Sequence, residues 1–336
     1  MKLSLVVDMY GCPNRCKHCW LGHMQNKKMK EESDLFIVNY FKPYFDQIAY
    51  YSWVREPDFC EHYTERWARD NDISVNAQPL RFELASFYRL VRDKNYVGFL
   101  KETGTKAVQL TFFGLGKMTD KYTGRKGAFE ELLNATQILV ENKISPRWQA
   151  FINEENKQEV AALLPLIKNL RLEERCLEFG GSFKFFVHAG SCDGENYKLY
   201  HLRINKDNIP AQLIPYYLDY EKTATEQELC AKIKNDNSNL EFEKSGDTVL
   251  NISNRFDVYF NYANMSEKWT LGNMLTLSPS QMMENIKTRN VFAINVSKEI
   301  TISHLVEKYG DTSSQKIFFK EDYKFYLLLR HLDALS

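Results

Sequence analysis

Strand-like and helix-like stretches alternate up to about Gly190, and that alternation predicts an α/β fold built on a parallel sheet with crossover helices. Three observations carry the prediction. The run from Lys2 to Met9 is dense in Leu and Val and reads as a first buried strand. The stretches from Ala107 and from Arg147 repeat that character. Between and after them lie amphipathic helical patterns, clearest in "GAFEELLNATQILVENK". About five or six such units suit an open or partial barrel better than a flat Rossmann sheet, and periodicity leaves the choice open.

Taken in order, the first strand leads straight into a cysteine-rich loop. "SDLFIVNYFKPYFDQ" then offers Ser33 and Asp34 as helix starts, with Pro43 kinking or ending the helix. Ile48 to Val54 reads as a second strand, and "FELASFY" from Phe82 as a weaker third. "NYVGFLKETG" is a short helix stopped by Gly104, and Ala107 to Gly114 is a fourth strand. The next helix places Phe129, Leu132, Leu133, Thr136 and Val140 on one face. Arg147 to Asn153 is again a strand, and "KQEVAALLPLIKNL" spaces Val160, Leu163, Leu164 and Ile167 as a helix does. A last strand run, "LEFGGSFKFFVHAG", ends near Gly190.

Beyond Ser191 the composition turns polar and Asn-rich, with loops and short strands, and helical patterns return at "SPSQMMENIK" and at the C-terminal "KEDYKFYLLLRHLDAL". The expected division is a core domain over 1–190 and an α+β accessory region over 191–336. No internal repeat or low-complexity tract interrupts the chain.

Among 336 residues, 44% are hydrophobic and 26% charged, which describes a globular chain long enough for a sizeable core. Lys+Arg and Asp+Glu balance at 44 each, so no strong nucleic-acid signal exists. No stretch approaches a membrane span, and the first strand run is too short for a signal segment. Seven cysteines, odd in number and mostly scattered, do not frame a secreted disulfide domain, so the expected compartment is the cytoplasm.

The exception to that scatter is "YGCPNRCKHCWLG", where Cys12, Cys16 and Cys19 follow directly on the first strand. Three soft thiolates suit an iron–sulfur cluster, zinc or copper(I). A structural zinc site would want a fourth ligand, for which His18 or His23 is available. A 4Fe–4S cube held by three thiolates leaves one iron for an exogenous ligand. Cys60, Cys176, Cys192 and Cys230 read as buried free thiols.

The Cx3Cx2C spacing after a first buried strand resembles the radical S-adenosylmethionine (SAM) superfamily, in which a ring usually precedes the last cysteine, as His18 does here. The resemblance implies a partial (β/α)6 barrel, with Cys12, Cys16 and Cys19 holding a 4Fe–4S cluster whose open iron is chelated by SAM. It implies reductive cleavage of SAM to a 5′-deoxyadenosyl radical that abstracts a substrate hydrogen, and a flavodoxin or ferredoxin-type reductant. The reactive state would be oxygen-sensitive.

Members usually carry Gly-Gly-Glu-Pro at the end of the second strand, whose Glu receives the SAM amino group. "WVREPDF" keeps Glu56 and Pro57 and replaces the glycines by Val54 and Arg55. The segment from Phe113 to Ile144 is similar to the subgroup that modifies peptides and proteins, which makes Arg125 the candidate for the SAM carboxylate. Ser86, Gln109, Thr111 and Gln149 fall near strand ends, where such a barrel gathers cofactor contacts, and His18 is placed to pack on adenine. "WTLGNMLTLSPSQMMENI" resembles the Leu-Gly-Asn-x6-Ser segment of SPASM-type extensions, without the cysteines of their auxiliary clusters.

A peptide is therefore the first expected substrate and a small molecule the second. Epimerisation, cross-linking, rearrangement and dehydrogenation all remain open outcomes. The rival readings are a zinc-stabilised binding module without catalysis, and a cluster-binding relative that has lost SAM cleavage. No spacing selects a radical-quenching residue among Cys176, Cys192, Cys230 and the tyrosines.

Overall fold

Leu3, Leu5 and Val7 are fully buried along strand β1 (Lys2–Val7), the alternation that a period of two imposes. The structure, a computed structural model, describes residues 2–81, 83–242, 247–261 and 264–335. After β1 come α1 (Ser33–Phe41), β2 (Gln47–Tyr51), α2 (Tyr63–Ile73), α3 (Phe87–Leu90), α4 (Tyr96–Glu102) and β3 (Ala107–Phe112). The chain continues through α5 (Gly116–Thr123), α6 (Ala128–Glu141), β4 (Ser145–Phe151), α7 (Lys157–Ala161), α8 (Leu163–Asn169), α9 (Leu172–Leu177) and β5 (Lys184–His188).

Parallel pairing joins β1 to β2 and, separately, β3 to β4 to β5, with Gln109 opposite Arg147 and Thr111 opposite Gln149. This is the mixed α/β architecture with parallel strands that the alternation predicts. The weak third strand does not form among its described residues. Phe82 lies outside them, and Glu83 meets the sheet through its carbonyl, which accepts from the Gln109 N–H at 2.7 Å, and through its carboxylate, which pairs with Arg147 on β4. Ser86, at the end of that stretch, turns its hydroxyl to cap α3, accepting from the Arg89 N–H, which ends the extended conformation. The helix "KQEVAALLPLIKNL" is likewise split, into α7 and α8 at Ala162.

On α6 the expected face is buried at Phe129, Leu132, Thr136 and Val140, joined by Leu139, while Leu133 is half-buried. The Thr136 hydroxyl accepts from the Trp148 indole N–H at 3.0 Å, tying α6 to the middle of β4. At the exit of β2, Asp70 on α2 accepts from both the N–H and the hydroxyl of Ser52, at 3.0 and 2.8 Å. Arg66 binds Asp70 and Asp34 together, so α1, α2 and the exit of β2 share one buried polar junction. That junction fixes the direction of the chain toward Glu56.

The remainder forms α10 (Gly194–Tyr197), β6 (Thr223–Thr225), α11 (Glu226–Ile233), β7 (Thr248–Ile252), β8 (Asp257–Phe260), β9 (Thr270–Asn273), α12 (Pro279–Thr288), α13 (Phe292–Glu299), α14 (Ile302–Tyr309), β10 (Ile317–Phe319) and α15 (Lys320–Ala334). The Leu-Gly-Asn stretch is β9, and Ser278 caps α12 through a reciprocal pair with Gln281. β7 lies parallel to β1, with Leu5 opposite Leu250, and β8 and β9 extend the sheet antiparallel. We keep 1–190 and 191–336 as a proposed division by sequence pattern, and note that hydrogen bonding crosses it. The apolar side chains of β1, β7 and β8 join α12 to α15 in one core, while β3 to β5 and α6 to α9 form another.

A chain ending at Ser191 would uncover the β1 edge that β7 covers. Such a fragment should be recovered aggregated and without a cooperative thermal transition. A soluble fragment with a sharp melt would show that the first part needs no strand from the second.

Candidate active site

The cysteine loop is held from four sides. Gly11, at φ +87°, leaves no room for a Cβ, which would sit 2.4 Å from the Asn26 side-chain oxygen. That Asn26 amide clasps Cys12, accepting from its N–H at 3.2 Å and donating to its carbonyl at 2.7 Å. The N–H groups of Arg15 and Lys17 donate to the Thr123 and Tyr122 carbonyls, docking the middle of the loop on the end of α5. His23 Nε2 meets the Cys16 carbonyl at 2.9 Å. From the far side of the barrel, the Glu195 N–H donates to the Cys19 carbonyl at 2.8 Å, and the Glu195 carboxylate accepts from the His23 N–H.

Cys12, Cys16 and Cys19 are free thiols that share the wall of one chamber of about 740 Å³. Burial raises all three thiol pKa values, that of Cys16 to about 12. Arg55 opposes the shift at Cys12 and Cys19, and Arg125 opposes it at Cys16. Without metal the thiols therefore hold their protons, and a metal centre would take them as thiolates with proton release. Among the described residues, no three His, Cys, Asp or Glu side chains converge as a site for a single ion. Soft donors, an unbridged trio on one loop and neighbouring cations fit an iron–sulfur cluster.

Glu56 also lines the chamber, with a carboxylate oxygen 4.0 Å from the Cys12 sulfur. Burial pushes its pKa up to about 7, and the hydroxyl of Ser86, donating at 2.6 Å, pulls the other way. Ser86 itself stands behind Glu56 and orients it. His18 packs between Phe113 and Phe151 at ring-centroid distances of 4.5 and 4.2 Å, with Nδ1 buried and unpartnered. Burial drives its pKa down to about 3, so the ring is neutral.

Gln109, Thr111 and Gln149 line the chamber. Arg125 stands behind the loop: its Nε donates to Asn14 Oδ1 at 2.9 Å, its Nη1 pairs with Glu131 at 2.6 Å, and Nη2 is buried without a partner. The sequence reading missed His188, Arg55 and Glu195 as site residues. His188 ends β5 as Gln149 nears the end of β4, and that strand-end position was its available signal.

Gln109, Gln149 and His188 form a ladder across β3, β4 and β5. Its direction follows from one group that cannot rotate. The Gly190 N–H donates to His188 Nδ1 at 3.2 Å, so the single ring proton of the neutral imidazole belongs on Nε2. Nε2–H then requires an acceptor, and a half-turn of the Gln149 amide brings its oxygen there. The same half-turn in Gln109 lets it accept from Gln149 and leaves its own NH2 facing the chamber. A carbonyl, carboxylate or hydroxyl oxygen is the complement of that donor.

Residues 6–164 match the family model described as the Radical SAM superfamily. The matched stretch takes in the cysteine loop and Glu56, and the cofactors of that superfamily are a 4Fe–4S cluster and SAM. Among curated proteins it is similar to an Fe-coproporphyrin III synthase of Methanosarcina barkeri (strain Fusaro / DSM 804), at 28% identity over 98 residues. That alignment covers 29% of this chain and spans only 23% of the relative's length. Among solved structures the fold is similar to native anSMEcpe with bound AdoMet and a peptide, with a TM-score of 0.53 at 12% identity, covering 100% of both chains. A second structure of native anSMEcpe with bound AdoMet gives 0.51 at 14% identity, covering 99% of this chain and 100% of that one. This likeness extends the match in fold through the accessory region.

Gly194 presses on the loop as well: a Cβ there would lie 2.3 Å from the Cys19 and Trp20 carbonyl oxygens, at φ +52°. Gly194→Ala should cost about 1–3 kcal/mol in strain and clash and reduce iron uptake on anaerobic reconstitution. Unchanged iron content would show that this contact does not set the loop.

Burial lowers the His188 pKa to about 4, below its unfolded value of about 6.5. The unfolded chain binds the extra proton in that window, so the His188 contribution to stability is complete above pH 6.5 and is lost as pH falls toward 4. Relative to wild type, His188→Gln should remove a slope of roughly 1.4 kcal/mol per pH unit there, read from urea melts. Nitrogen NMR should find the ring proton on Nε2, and a proton on Nδ1 would reverse the ladder.

Proposed function

We propose that this protein is a radical SAM enzyme that cleaves SAM reductively and abstracts a hydrogen from a peptide. The observation that carries the reading is the placement of three free thiols on one chamber wall, beside a buried carboxylate. When bound, the cluster supplies an electron that splits SAM into methionine and a 5′-deoxyadenosyl radical.

The chain's own residues bind, orient and exclude water. Glu56 stands by the cluster loop as acceptor for the SAM amino group, turned to that task by Ser86. Arg125 steadies the loop through Asn14 from outside the chamber wall, and the resemblance of its segment keeps it as the candidate for the SAM carboxylate. His18, Phe113 and Phe151 offer flat apolar faces to the adenine. Thr111 and the ladder of Gln109 and Gln149 give the chamber its polar wall. The half-exposed Trp20 and Leu84 lie at its mouth, where an entering chain would meet them.

The peptide is favoured over a small molecule by the chamber's extent and by the peptide present with native anSMEcpe. A flavodoxin or ferredoxin-type reductant in a cytoplasmic setting completes the reading. No helix among the described residues is long and apolar enough to cross a membrane.

Purified without oxygen, the protein should be brown and contain iron and sulfide. With dithionite and SAM it should release 5′-deoxyadenosine and methionine, and Cys16→Ala should lower that release at least a hundredfold, an expected loss of about 3 kcal/mol in the barrier term. A colourless protein with about one zinc and no iron would establish the binding module instead. Iron without SAM cleavage would establish the degenerate relative.

A further inference from the structure

We propose that Arg55 is an internal counter-cation of the cysteine loop, held in place by Asp8 and Asn254, and that it sets the reduction potential of the cluster. The proposal rests on the cluster reading above and concerns a residue that stands where the related pattern has glycine.

The guanidinium is fixed by its partners. Nε and Nη2 donate to the two oxygens of Asp8 at 2.9 and 2.8 Å, and Nη1 donates to the Met24 carbonyl at 3.1 Å. The pair is buried, at 7% and 1% side-chain exposure. Asn254, in the turn between β7 and β8, donates to Asp8 at 3.4 Å and to the Gln25 carbonyl at 2.9 Å. The accessory region thus closes the clasp. Gly11 confirms how tight it is, since a Cβ there would come within 3.0 Å of Arg55 Nη2.

The ion pair is also oriented. Arg55 lines the chamber together with the three cysteines, whereas Asp8 is buried at the end of β1 and is not part of that wall. The cation therefore faces the loop and the anion faces the core. A reduced cluster is one charge more negative than an oxidised one, so a nearby fixed cation favours reduction. In this buried setting salt screens the effect little. Asp8 offsets the cost of burying an unpaired guanidinium without moving its charge away from the loop.

The test is an EPR-monitored redox titration of the reconstituted protein without SAM, with iron determined in parallel. Arg55→Gln should lower the midpoint potential, because it removes the cation and leaves Asp8. Asp8→Asn should raise it, because Arg55 then acts without its counter-charge. Opposite signs are the signature, since a merely structural pair would shift both variants alike. Iron-loaded variants with unmoved potentials, or potentials moved in the same direction, would overturn the proposal. If only Arg55→Gln fails to take up iron, the sign of the Asp8→Asn shift decides. Failure of both variants to load would assign the pair a purely structural role and overturn it too. Absence of iron from the wild-type protein would instead defeat the cluster reading itself.

Discussion

Everything at this site depends on keeping three buried thiols together on a short loop that has no regular structure of its own. Such a loop cannot satisfy its backbone internally, so its polar groups must be answered from outside. α5 takes the N–H groups of Arg15 and Lys17, Asn26 takes both backbone groups of Cys12, His23 takes the Cys16 carbonyl, and the turn at Gly194 takes that of Cys19. These partners come from both halves of the barrel. The loop is therefore a seam at which β1, α5 and the turn after β5 meet.

Most of the polar side chains around the chamber answer one another, while His18 Nδ1 is buried without a partner. Glu56 is answered by Ser86, and the Gln109–Gln149–His188 ladder is terminated by a backbone N–H at Gly190. A buried polar chain that is fixed at one end has one consistent direction, because reversing it would set two donors against each other. Aromatic rings fill the space between these groups: His18, Phe113, Phe151 and His188 form a continuous set of tilted and stacked contacts. The result is a wall with few polar points, as sites that bind flat organic cofactors tend to have.

The accessory region acts on the site as well as on the fold. β7 covers the edge of β1, and Asn254 reaches Asp8 and Gln25 from the following turn. A strand from the accessory region thereby stabilises the first strand, and with it the root of the cysteine loop. The compositional break near Ser191 marks a change in local pattern and does not mark a break in hydrogen bonding.

Local chemistry was legible in the sequence. The Cx3Cx2C loop, the buried strands at Lys2, Ala107 and Arg147, the amphipathic α6 and the capped α12 all depend on residues close together along the chain, so spacing and periodicity reveal them. Gln109, Thr111 and Gln149 could be placed near strand ends for the same reason, but the face each takes depends on a register that a one-residue slip would reverse. What pattern could not supply was the meeting of residues distant in sequence. Ser86 proved to stand behind Glu56, Arg125 behind the loop, and His188 within the wall, and the extended stretch at Glu83 gave way to a capped helix. Those outcomes were decided by tertiary packing, because burial removes water as a partner and leaves each polar group only the neighbours that the folded chain brings to it.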